Sequence, residues 1–224
     1  MTDNVLVVAA HPDDEVLGCG GTIAKHRAKG DCVHVAFLAD GVSSRDENAM
    51  AALERRRDAA RKACGILGTD SVSFGDYPDN RMDVVPLLDI TKSIELLIAE
   101  HGPNIVYSHH AGDVNVDHRQ IHSAVVTACR PQKGHPVERL LFFEIASSTE
   151  WQPPGSAPAF LPNWFEDISN QLERKLAAMA AYDMELRDWP HPRSLKGIET
   201  LSAWRGAIVG VDAAEAFILG RQVK

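Results

Sequence analysis

The chain has 224 residues, of which 45% are apolar and 24% are charged, a composition typical of one globular domain and not of a disordered or fibrous protein. Lys and Arg total 23 against 31 Asp and Glu, and the formal net charge of −8 argues against broad electrostatic binding to nucleic acid or anionic membranes. The N-terminus has no basic segment before its apolar stretch, and no run of about 18 apolar residues follows, so we expect a cytoplasmic protein with no membrane span.

Short apolar runs rich in Val, Ile and Phe alternate along the chain with longer segments of helical periodicity. Strands are predicted at 4–11, 32–41, 71–77, 104–110 and 139–148, and helices at 18–29, 49–67, 85–101 and 117–129. This alternation predicts an α/β fold in which a mostly parallel, twisted sheet carries helices on both faces. Ligands bind beyond the carboxyl ends of the strands in such sheets. The first and fourth predicted strands end at His11 and His110.

The chain after the fifth predicted strand has a different character. Residues 148–164 contain four prolines, which resist regular structure, so we expect a long ordered loop or lid near the site. Two helices then form a predicted C-terminal helical extension. The first is marked by an apolar stripe of Ile168, Leu172, Leu176, Met179 and Leu186. The second follows a candidate cap at Ser194 and is expected to face inward through Ile198, Leu201 and Trp204.

The first predicted strand ends in a histidine and three carboxylates, within the sequence HPDDE at 11–15. His11 precedes a proline, which favours an extended conformation at the end of the strand. Asp13 and Asp14 are adjacent, so one side chain can bind a cation while the other faces whatever the cation holds. Clustered carboxylates repel one another and are costly to desolvate, so we expect a cation here.

A second polar segment, SHHAGDVNVDHRQIH at 108–122, follows the fourth predicted strand. Its polar side chains include His109, His110, Asp113, Asn115, Asp117, His118 and His122. Two histidines and one carboxylate form the three-ligand set of an open catalytic zinc site, which leaves coordination positions for water and substrate. Imidazole and carboxylate ligands suit Zn²⁺, and they also admit iron, cobalt or manganese.

Each polar segment alone has a simpler explanation. A DDE sequence is commonly a solvated charge run or a helix N-terminus, and a histidine at a strand end is commonly just a hydrogen-bonded polar residue. Both segments lie at strand ends on the same side of the predicted sheet, and this conjunction favours a metal site. The GCGG sequence at 18–21 lacks the GxGxxG spacing of a dinucleotide-binding turn, and carboxylates occupy the place of the pyrophosphate.

The two polar segments also resemble a known family. AHPDDE at 10–15 and HAGDVNVDH at 110–118 are similar to motifs of the LmbE-like, or PIG-L, metal-dependent N-deacetylases, and EIASSTEW and LPNWFEDIS at 144–151 and 161–169 resemble a bacterial branch of it. The resemblance implies one LmbE-like deacetylase domain over residues 1–224 with a Rossmann-like, three-layer fold. It also implies that His11, Asp14 and His118 bind Zn²⁺ and that Asp13 is the general base.

One position departs from the pattern of that family. Many members carry His-x-x-His, whose first histidine stabilises the oxyanion or protonates the amine, and the same frame here reads Asn115-Val116-Asp117-His118. An asparagine amide can donate a hydrogen bond to an oxyanion but cannot transfer a proton at ordinary pH. His110 is the candidate replacement, or else a structural histidine bonded to Asp113.

Four further residues are candidates for substrate contacts. Arg56 lies on the second predicted helix, where the resemblance implies an arginine that reaches the pocket; otherwise it belongs to a solvated basic face. Asp79 follows the third predicted strand and either binds sugar hydroxyls or forms a Pro-Asp turn. Glu150 and Trp151 either form a pocket wall, with the tryptophan stacked on a sugar, or anchor the proline-rich loop.

The sequence therefore leads to a zinc-dependent hydrolase that removes an N-acetyl group from an amino sugar, sugar nucleotide or glycoside, with Asp13 as the base. An amidase acting on a thiol conjugate or another small amide would share every metal residue. A non-catalytic metal- or nucleotide-binding module is the third hypothesis. The expected partner is a small-molecule N-acetylated sugar or related amide, with no nucleic acid, and the chain is compatible with a homo-oligomer.

Overall fold

A central sheet organises the chain. The computed structural model describes residues 2–41 and 49–223, and within them the sheet has the strand order β3-β2-β1-β4-β5-β7-β6. The strands are β1 (Asn4–Ala9), β2 (Cys32–Ala39), β3 (Ser71–Tyr77), β4 (Ile105–His109), β5 (Arg139–Phe143), β6 (Trp164–Asp167) and β7 (Ala214–Gln222). The helices are α1 (Asp14–Lys29), α2 (Ala49–Leu67), α3 (Leu87–His101), α4 (Val116–Ala128), α5 (Leu172–Ala180) and α6 (Leu195–Val209).

The predicted α/β fold class is confirmed. Strands β1 to β5 fall on the five predicted segments and pair in parallel, whereas β7 pairs antiparallel with both β5 and β6. Helices α2, α3 and α4 agree with the predictions within two residues, but α1 begins at Asp14 and not at residue 18. The first turn of α1 therefore already contains Asp14 and Glu15 of the acidic segment.

Both faces of the sheet are buried, which explains the continuous apolar runs of its strands. Side chains alternate between faces along a strand, so Val5 and Val7 of β1 belong to one apolar cluster with α1, α2, α5 and α6. Leu6 and Val8 belong to a second cluster with α3 and α4. A strand buried on both faces cannot show the polar alternation of a half-exposed strand.

The C-terminal region contains two strands that the sequence analysis missed, β6 and β7, in addition to its helices. The apolar stripe that was predicted as one helix is also divided, since Ile168 precedes α5 and Leu186 follows it. The predicted cap of α6 is present, because the side chain of Ser194 accepts a hydrogen bond from the N–H of Gly197 at 2.9 Å.

The expectation that Trp204 faces inward is wrong, because its side chain is 63% exposed. The buried residues of α6 are Ile198, Ser202 and Gly206, which recur every four residues and define one stripe. Trp204 lies two residues from the nearest members of that stripe and, at about 100° per residue, points to the opposite side.

The glycine-rich GCGG segment has a packing role in α1. A Cβ at Gly18 would lie 2.5 Å from the ring of Phe143, so only glycine permits this approach of helix and sheet. The helix is kinked at Cys19, whose φ is −151°. The N–H groups of Gly21 and Thr22, just after the kink, donate to the carboxylate of Glu215 on β7 at 2.9 and 2.7 Å.

The topology places the two polar segments side by side. Strand order reverses direction between β1 and β4, which are adjacent in the sheet, and such a switch point opens a crevice at the carboxyl ends of the strands. Residues 11–15 follow β1, and residues 110–118 follow β4. Within residues 2–41 and 49–223, no helix combines the length and the apolar character that crossing a membrane requires.

Candidate active site

The three predicted metal ligands lie together at the switch point. Nδ1 of His11 is 3.4 Å from Oδ2 of Asp14, and Nε2 of His118 is 3.3 Å from the same oxygen. All three side chains are buried, and one ligand-type atom from each lies within 4.8 Å of the others. We call these three residues the His11 cluster.

The geometry of the His11 cluster fits a divalent cation. Two atoms bound tetrahedrally to Zn²⁺ at about 2.0–2.2 Å are separated by about 3.3–3.5 Å, close to the observed 3.3 and 3.4 Å. Among the described residues, Nε2 of His118 is buried and has no partner with hydrogen-bond geometry. Buried polar atoms normally have partners, so the nitrogen that faces Asp14 has the character of an open ligand.

The opposite edge of the His11 ring is held by two carboxylates. Nε2 of His11 is 2.9 Å from Oδ2 of Asp117 and 3.1 Å from Oδ1 of Asp79. Asp117 also accepts the backbone N–H groups of Asn80 and Met82 at 2.7 and 2.9 Å. A carboxylate behind a histidine ligand fixes the ring and its tautomer. Asp79 therefore helps to orient the ring of His11.

A second carboxylate, Asp113, supports the ring of His118. Its Oδ1 is 3.1 Å from Nδ1 of His118, and it accepts hydrogen bonds from the hydroxyls of Ser148 and Thr149. Burial alone would raise the pKa of Asp113, but His118 and the two hydroxyls hold it well below the ordinary value. Asp113 is therefore a carboxylate that fixes His118 in place.

The ring of His118 is basic when no cation is present. Burial lowers its pKa, but the carboxylates of Asp14 and Asp113 outweigh burial and raise the pKa to about 9. In turn, His118 and His109 hold the pKa of Asp14 well below its ordinary value against the effect of burial. A proton on His118 thus supplies positive charge to this carboxylate cluster.

Asp13 lies beside the His11 cluster in an unusual backbone conformation. Its φ of 111° is rare for a residue other than glycine and costs of order 1–3 kcal/mol, a feature that concentrates at functional sites. Oδ2 of Asp13 accepts a hydrogen bond from Nη1 of Arg193 at 3.1 Å, and Nη2 of Arg56 is 3.9 Å from Oδ1. Burial raises the pKa of Asp13 to about 6 although both arginines lower it.

Arg56 is buried and belongs to the site, so the alternative of a solvated face is wrong. It donates to the backbone oxygens of Gly41 at 2.7 Å and Pro12 at 3.2 Å. Its Nη1 is also 3.0 Å from Oε1 of Glu185. The guanidinium therefore joins helix α2 to the HPDDE segment.

Glu185 and Arg193 are site residues that the sequence analysis missed. Oε2 of Glu185 is 3.6 Å from Nη1 of Arg193, so Glu185 links the two arginines that flank Asp13. Nε of Arg193 donates to the hydroxyl of Ser147 at 3.1 Å. Glu185 and Arg193 lie in an irregular segment after α5, where no spacing or periodicity distinguishes a buried charge from a solvated one.

His110 is tied to the proline-rich loop. Its Nε2 donates to the backbone oxygen of Pro158 at 2.9 Å, and its ring packs edge-on against Phe160 with the centroids 5.4 Å apart. The hydrogen bond of His110 thus goes to the loop and not to Asp113, whose oxygens face Ser148, Thr149 and His118.

Asn115 caps helix α4. Its Oδ1 accepts the N–H of Asp117 at 2.8 Å, and its Nδ2 donates to Oδ1 of Asn80 at 3.1 Å. The amide that was considered as an oxyanion donor therefore has a protein partner. Its position at the start of α4 brings it within one helical turn of His118.

Glu150 and Trp151 begin the proline-rich loop in a short turn at Thr149–Trp151. The Glu150 carboxylate accepts the N–H groups of Ser147 at 2.6 Å and Ser148 at 3.2 Å, as expected of a loop anchor. Trp151 is 53% exposed and meets His191 edge-on, with the ring centroids 5.6 Å apart.

Comparisons with known proteins agree with this geometry. The profile of the PIG-L family, described as GlcNAc-PI de-N-acetylase, matches residues 6–129. A 1D-myo-inositol 2-acetamido-2-deoxy-alpha-D-glucopyranoside deacetylase from Mycobacteroides abscessus is 30% identical, over 83% of this chain and 82% of that protein. A 4-oxalmesaconate hydratase from Pseudomonas putida is also 30% identical, over 79% of this chain and 71% of that protein.

Among solved structures, the conserved protein TT1542 from Thermus thermophilus is similar over the whole chain. Its TM-score is 0.79 at 27% identity, and the match covers 100% of this chain and 97% of that one. The similarity therefore includes β6, β7 and the irregular segment that carries Glu185 and Arg193, beyond the residues that the family profile matches.

Proposed function

The chain belongs to the PIG-L (GlcNAc-PI de-N-acetylase) family, and on that basis we propose that it is a zinc-dependent deacetylase that hydrolyses the acetamide of an amino sugar, sugar nucleotide or glycoside. The observation that carries the proposal is the pairing of the His11 cluster with Asp13. The cluster offers an unpartnered imidazole nitrogen beside Asp14, and the carboxylate of the preceding residue, Asp13, is buried against two arginines.

The residues of the His11 cluster would hold the metal. A zinc ion at such a site polarises an amide carbonyl and lowers the pKa of a water molecule towards roughly 7. Asp79, Asp113 and Asp117 keep the two imidazole rings oriented towards Asp14 by occupying the outer edges of those rings. Iron, cobalt or manganese would also fit two imidazoles and one carboxylate.

Asp13 is proposed as the general base. A pKa of about 6 leaves its carboxylate mostly ionised at pH 7 yet basic enough to accept a proton from the attacking water. As the C–O bond forms and the C–N bond breaks, the same carboxyl can return that proton to the departing amine, so the products are acetate and a free amine. Arg56 and Arg193 fix the direction of the carboxylate on its outer side.

Asn115 and His110 have separable roles in the proposed reaction. We propose Asn115 as a hydrogen-bond donor to the developing oxyanion, which requires its Nδ2 to exchange Asn80 for substrate. His110→Gln keeps a donor for the oxygen of Pro158 but cannot titrate. If His110 anchors the loop, His110→Gln retains turnover and His110→Ala loses it. If His110 protonates the amine, both variants lose turnover and the basic limb of the pH profile.

An acetate-release assay tests the proposed function. The panel contains N-acetylglucosamine, its methyl glycoside, a nucleoside diphosphate N-acetylglucosamine and an N-acetylated thiol conjugate. Asp13→Asn is the inactive variant, and Asp58→Asn, at an exposed position of α2, is the matched control. Acetate from an N-acetyl sugar, lost in Asp13→Asn and kept in Asp58→Asn, supports the proposal. Acetate from the thiol conjugate alone favours the amidase. Hydration of 4-oxalmesaconate without acetate release from any amide would overturn the deacetylase.

A further inference from the structure

A cavity of about 370 Å³ lies between the segment after β5, the turn at 189–192 and helix α6. Its walls are largely apolar and are formed by Ala146, Trp189, Pro190, Pro192, Leu201 and Trp204. We call it the Trp pocket. Pockets for small molecules commonly measure about 300–1,000 Å³, so this cavity can hold a group the size of an aromatic ring.

The polar side chains in the walls of the Trp pocket are already engaged. Glu144 forms a two-pronged ion pair with Arg205, with both N–O distances at 2.7 Å. Glu150 accepts backbone N–H groups of the loop, and the hydroxyl of Thr200 donates to the oxygen of Lys196 at 2.7 Å. The two carboxylates disfavour a phosphate or carboxylate ligand, and the engaged polar groups favour an apolar one.

Two large aromatic side chains of the pocket are exposed to solvent. Trp189 is 52% exposed and Trp204 is 63% exposed. Apolar surface gains stability when it leaves water, by about 25 cal/mol per Å². The ammonium of Lys196 lies 4.8 Å from the centroid of the Trp189 ring, a cation–π contact on the outer side of this wall. An apolar group in the pocket would cover indole surface that the fold leaves in water.

The Trp pocket and Asp13 lie on two sides of the Arg193 side chain. Ala146 and Pro192 line the pocket, and the next residue after each, Ser147 and Arg193, are hydrogen-bonded to each other at 3.1 Å. Arg193 in turn donates to Asp13 at 3.1 Å. The hydrogen-bonded side chains of Ser147 and Arg193 therefore separate the pocket from Asp13, and a substrate with its acetamide at Asp13 would reach the pocket by passing over them.

We propose that the Trp pocket is a subsite for an apolar aglycone of ring size, so that the substrate is an N-acetylglucosaminide with an aromatic or short aliphatic aglycone. The proposal rests on the proposed deacetylase function. It disfavours the sugar nucleotide as the preferred substrate, because the described residues that line the pocket are largely apolar and include no Lys or Arg to pair with the phosphates.

The test compares the methyl and phenyl glycosides of N-acetylglucosamine in both anomeric forms. In the wild-type protein we expect kcat/KM to favour the phenyl glycoside by about tenfold or more, as burial of an aromatic ring against the indoles predicts. Trp204→Ala and Leu201→Ala should reduce that ratio towards unity. The matched control is Leu96→Ala, which removes an exposed apolar side chain on α3 and should leave the ratio unchanged.

A binding measurement separates failure of the subsite from failure of the function. Phenyl glucosaminide, the expected product, is titrated into wild-type protein and Trp204→Ala by calorimetry. Trp204-dependent binding without acetate release from any glycoside supports the subsite and overturns the deacetylase. Acetate release with no phenyl preference overturns the subsite alone. A wild-type dimer that Trp204→Ala dissociates, without a change in the phenyl ratio, would instead identify the pocket as a contact between copies of this chain and also overturn the subsite.

Discussion

Two clusters of histidine and aspartate lie at opposite edges of the sheet. The His11 cluster follows the carboxyl ends of β1 and β4, whereas Asp3, His26 and Asp31 precede the amino ends of β1 and β2. We call the latter the His26 cluster. In each cluster, one ligand-type atom from every member lies within 4.8 Å of the others. Proximity of ligand-type atoms alone would therefore assign a metal to both.

The two clusters differ in the hydrogen bonds of their rings. Nδ1 of His26 is 2.7 Å from Oδ2 of Asp31 and Nε2 is 3.0 Å from the hydroxyl of Tyr107, so both ring nitrogens are engaged. A separation of 2.7 Å is that of a hydrogen bond and is shorter than the roughly 3.3 Å between two ligands of one zinc ion. The comparison teaches that an imidazole nitrogen without a hydrogen-bond partner, more than the number of ligand-type side chains, distinguishes the proposed metal site from a hydrogen-bonded cluster.

The largest expected effect is the loss of metal from one cluster only. The His118→Gln protein should lose stoichiometric zinc, and its turnover should fall by at least about 100-fold. Loss of a residue that supports a metal ligand typically lowers metal affinity or activity by about 10- to 100-fold, and loss of the ligand itself should lower them more. His26→Gln is the matched control and should keep both zinc and turnover. Metal analysis of protein purified without added metal, with steady-state acetate release, makes the comparison.

Equal zinc content in wild type, His118→Gln and His26→Gln would contradict the assignment. So would zinc loss in His26→Gln alone, which would make the His26 cluster the metal site. His11→Ala and Asp14→Ala extend the test to the other two ligands and should behave as His118→Gln does.

A second effect separates turnover from metal binding within the active site. Asp13→Asn removes the proposed base without removing a ligand, so zinc should remain while kcat falls by roughly 100-fold or more. The amide still accepts a hydrogen bond from Arg193, which limits any change in the fold. Metal content and kcat are measured on the same preparation, and near-normal kcat would assign the base to another carboxylate.

The residues alone predicted a metal site at the ends of two strands, and the resemblance to the LmbE-like family singled out the His11 cluster, whose members belong to two short motifs. His11 and Asp14 are three residues apart, and the turn after β1 brings them together independently of the packing of distant segments. The helix that carries His118 follows a strand adjacent to β1, so the sheet order completes the cluster. Asp113 and Asp117 were visible in the same segment, but nothing in the spacing showed which histidine each supports.

The arginines and Glu185 around Asp13 show where sequence reasoning stops. Arg193 is 180 residues from Asp13 in the chain, and its contact depends on how α5, α6 and β7 pack. Glu215 and Lys175 are also distant in the chain from the kink of α1 that they contact. Glu215 lies on β7, a strand that the sequence did not predict, and its ion pair with Lys175 of α5 measures 2.5 Å. Lys175 also donates to the backbone oxygen of Leu17 in α1. Buried charges from distant segments follow from tertiary packing and leave no local pattern.

A third effect concerns pH and the competition between protons and metal. The pKa of His118 is raised to about 9 in the metal-free protein because the carboxylates of Asp14 and Asp113 outweigh burial. The carboxylates of Asp117, Asp14 and Asp79 also raise the pKa of His11 against the effect of burial. Zinc binding must therefore displace a proton from each ring, and the dissociation constant of zinc should rise by about tenfold to a hundredfold for each unit of pH decrease between pH 8 and pH 6. Chelator competition at several pH values measures this slope. A slope near zero would mean that His118 is neutral before zinc binds or is not a ligand.

The smallest effect on activity is expected at the His26 cluster, whose contribution is to stability. His26→Ala leaves Asp31 and the hydroxyl of Tyr107 without their ring partner, which should lower the free energy of unfolding by about 1–3 kcal/mol. For a chain of this length, Tm should fall by roughly 2–4 °C per kcal/mol.

The stability that His26→Ala loses should depend on pH, and the direction of this dependence follows from the pKa of Asp31. Burial raises the pKa of Asp31, but the hydrogen bonds from His26 and from the N–H of Asp3 outweigh burial and lower it. A lowered folded-state pKa stabilises the protein above the unfolded-state pKa, and this stabilisation is lost as pH falls through the folded value. The difference in Tm between wild type and His26→Ala should therefore shrink below about pH 4, while kcat and zinc content at neutral pH stay the same. A fall in kcat that tracks zinc loss in His26→Ala would show that the two clusters are not independent, because a purely structural network at the far edge of the sheet has no other route to the metal.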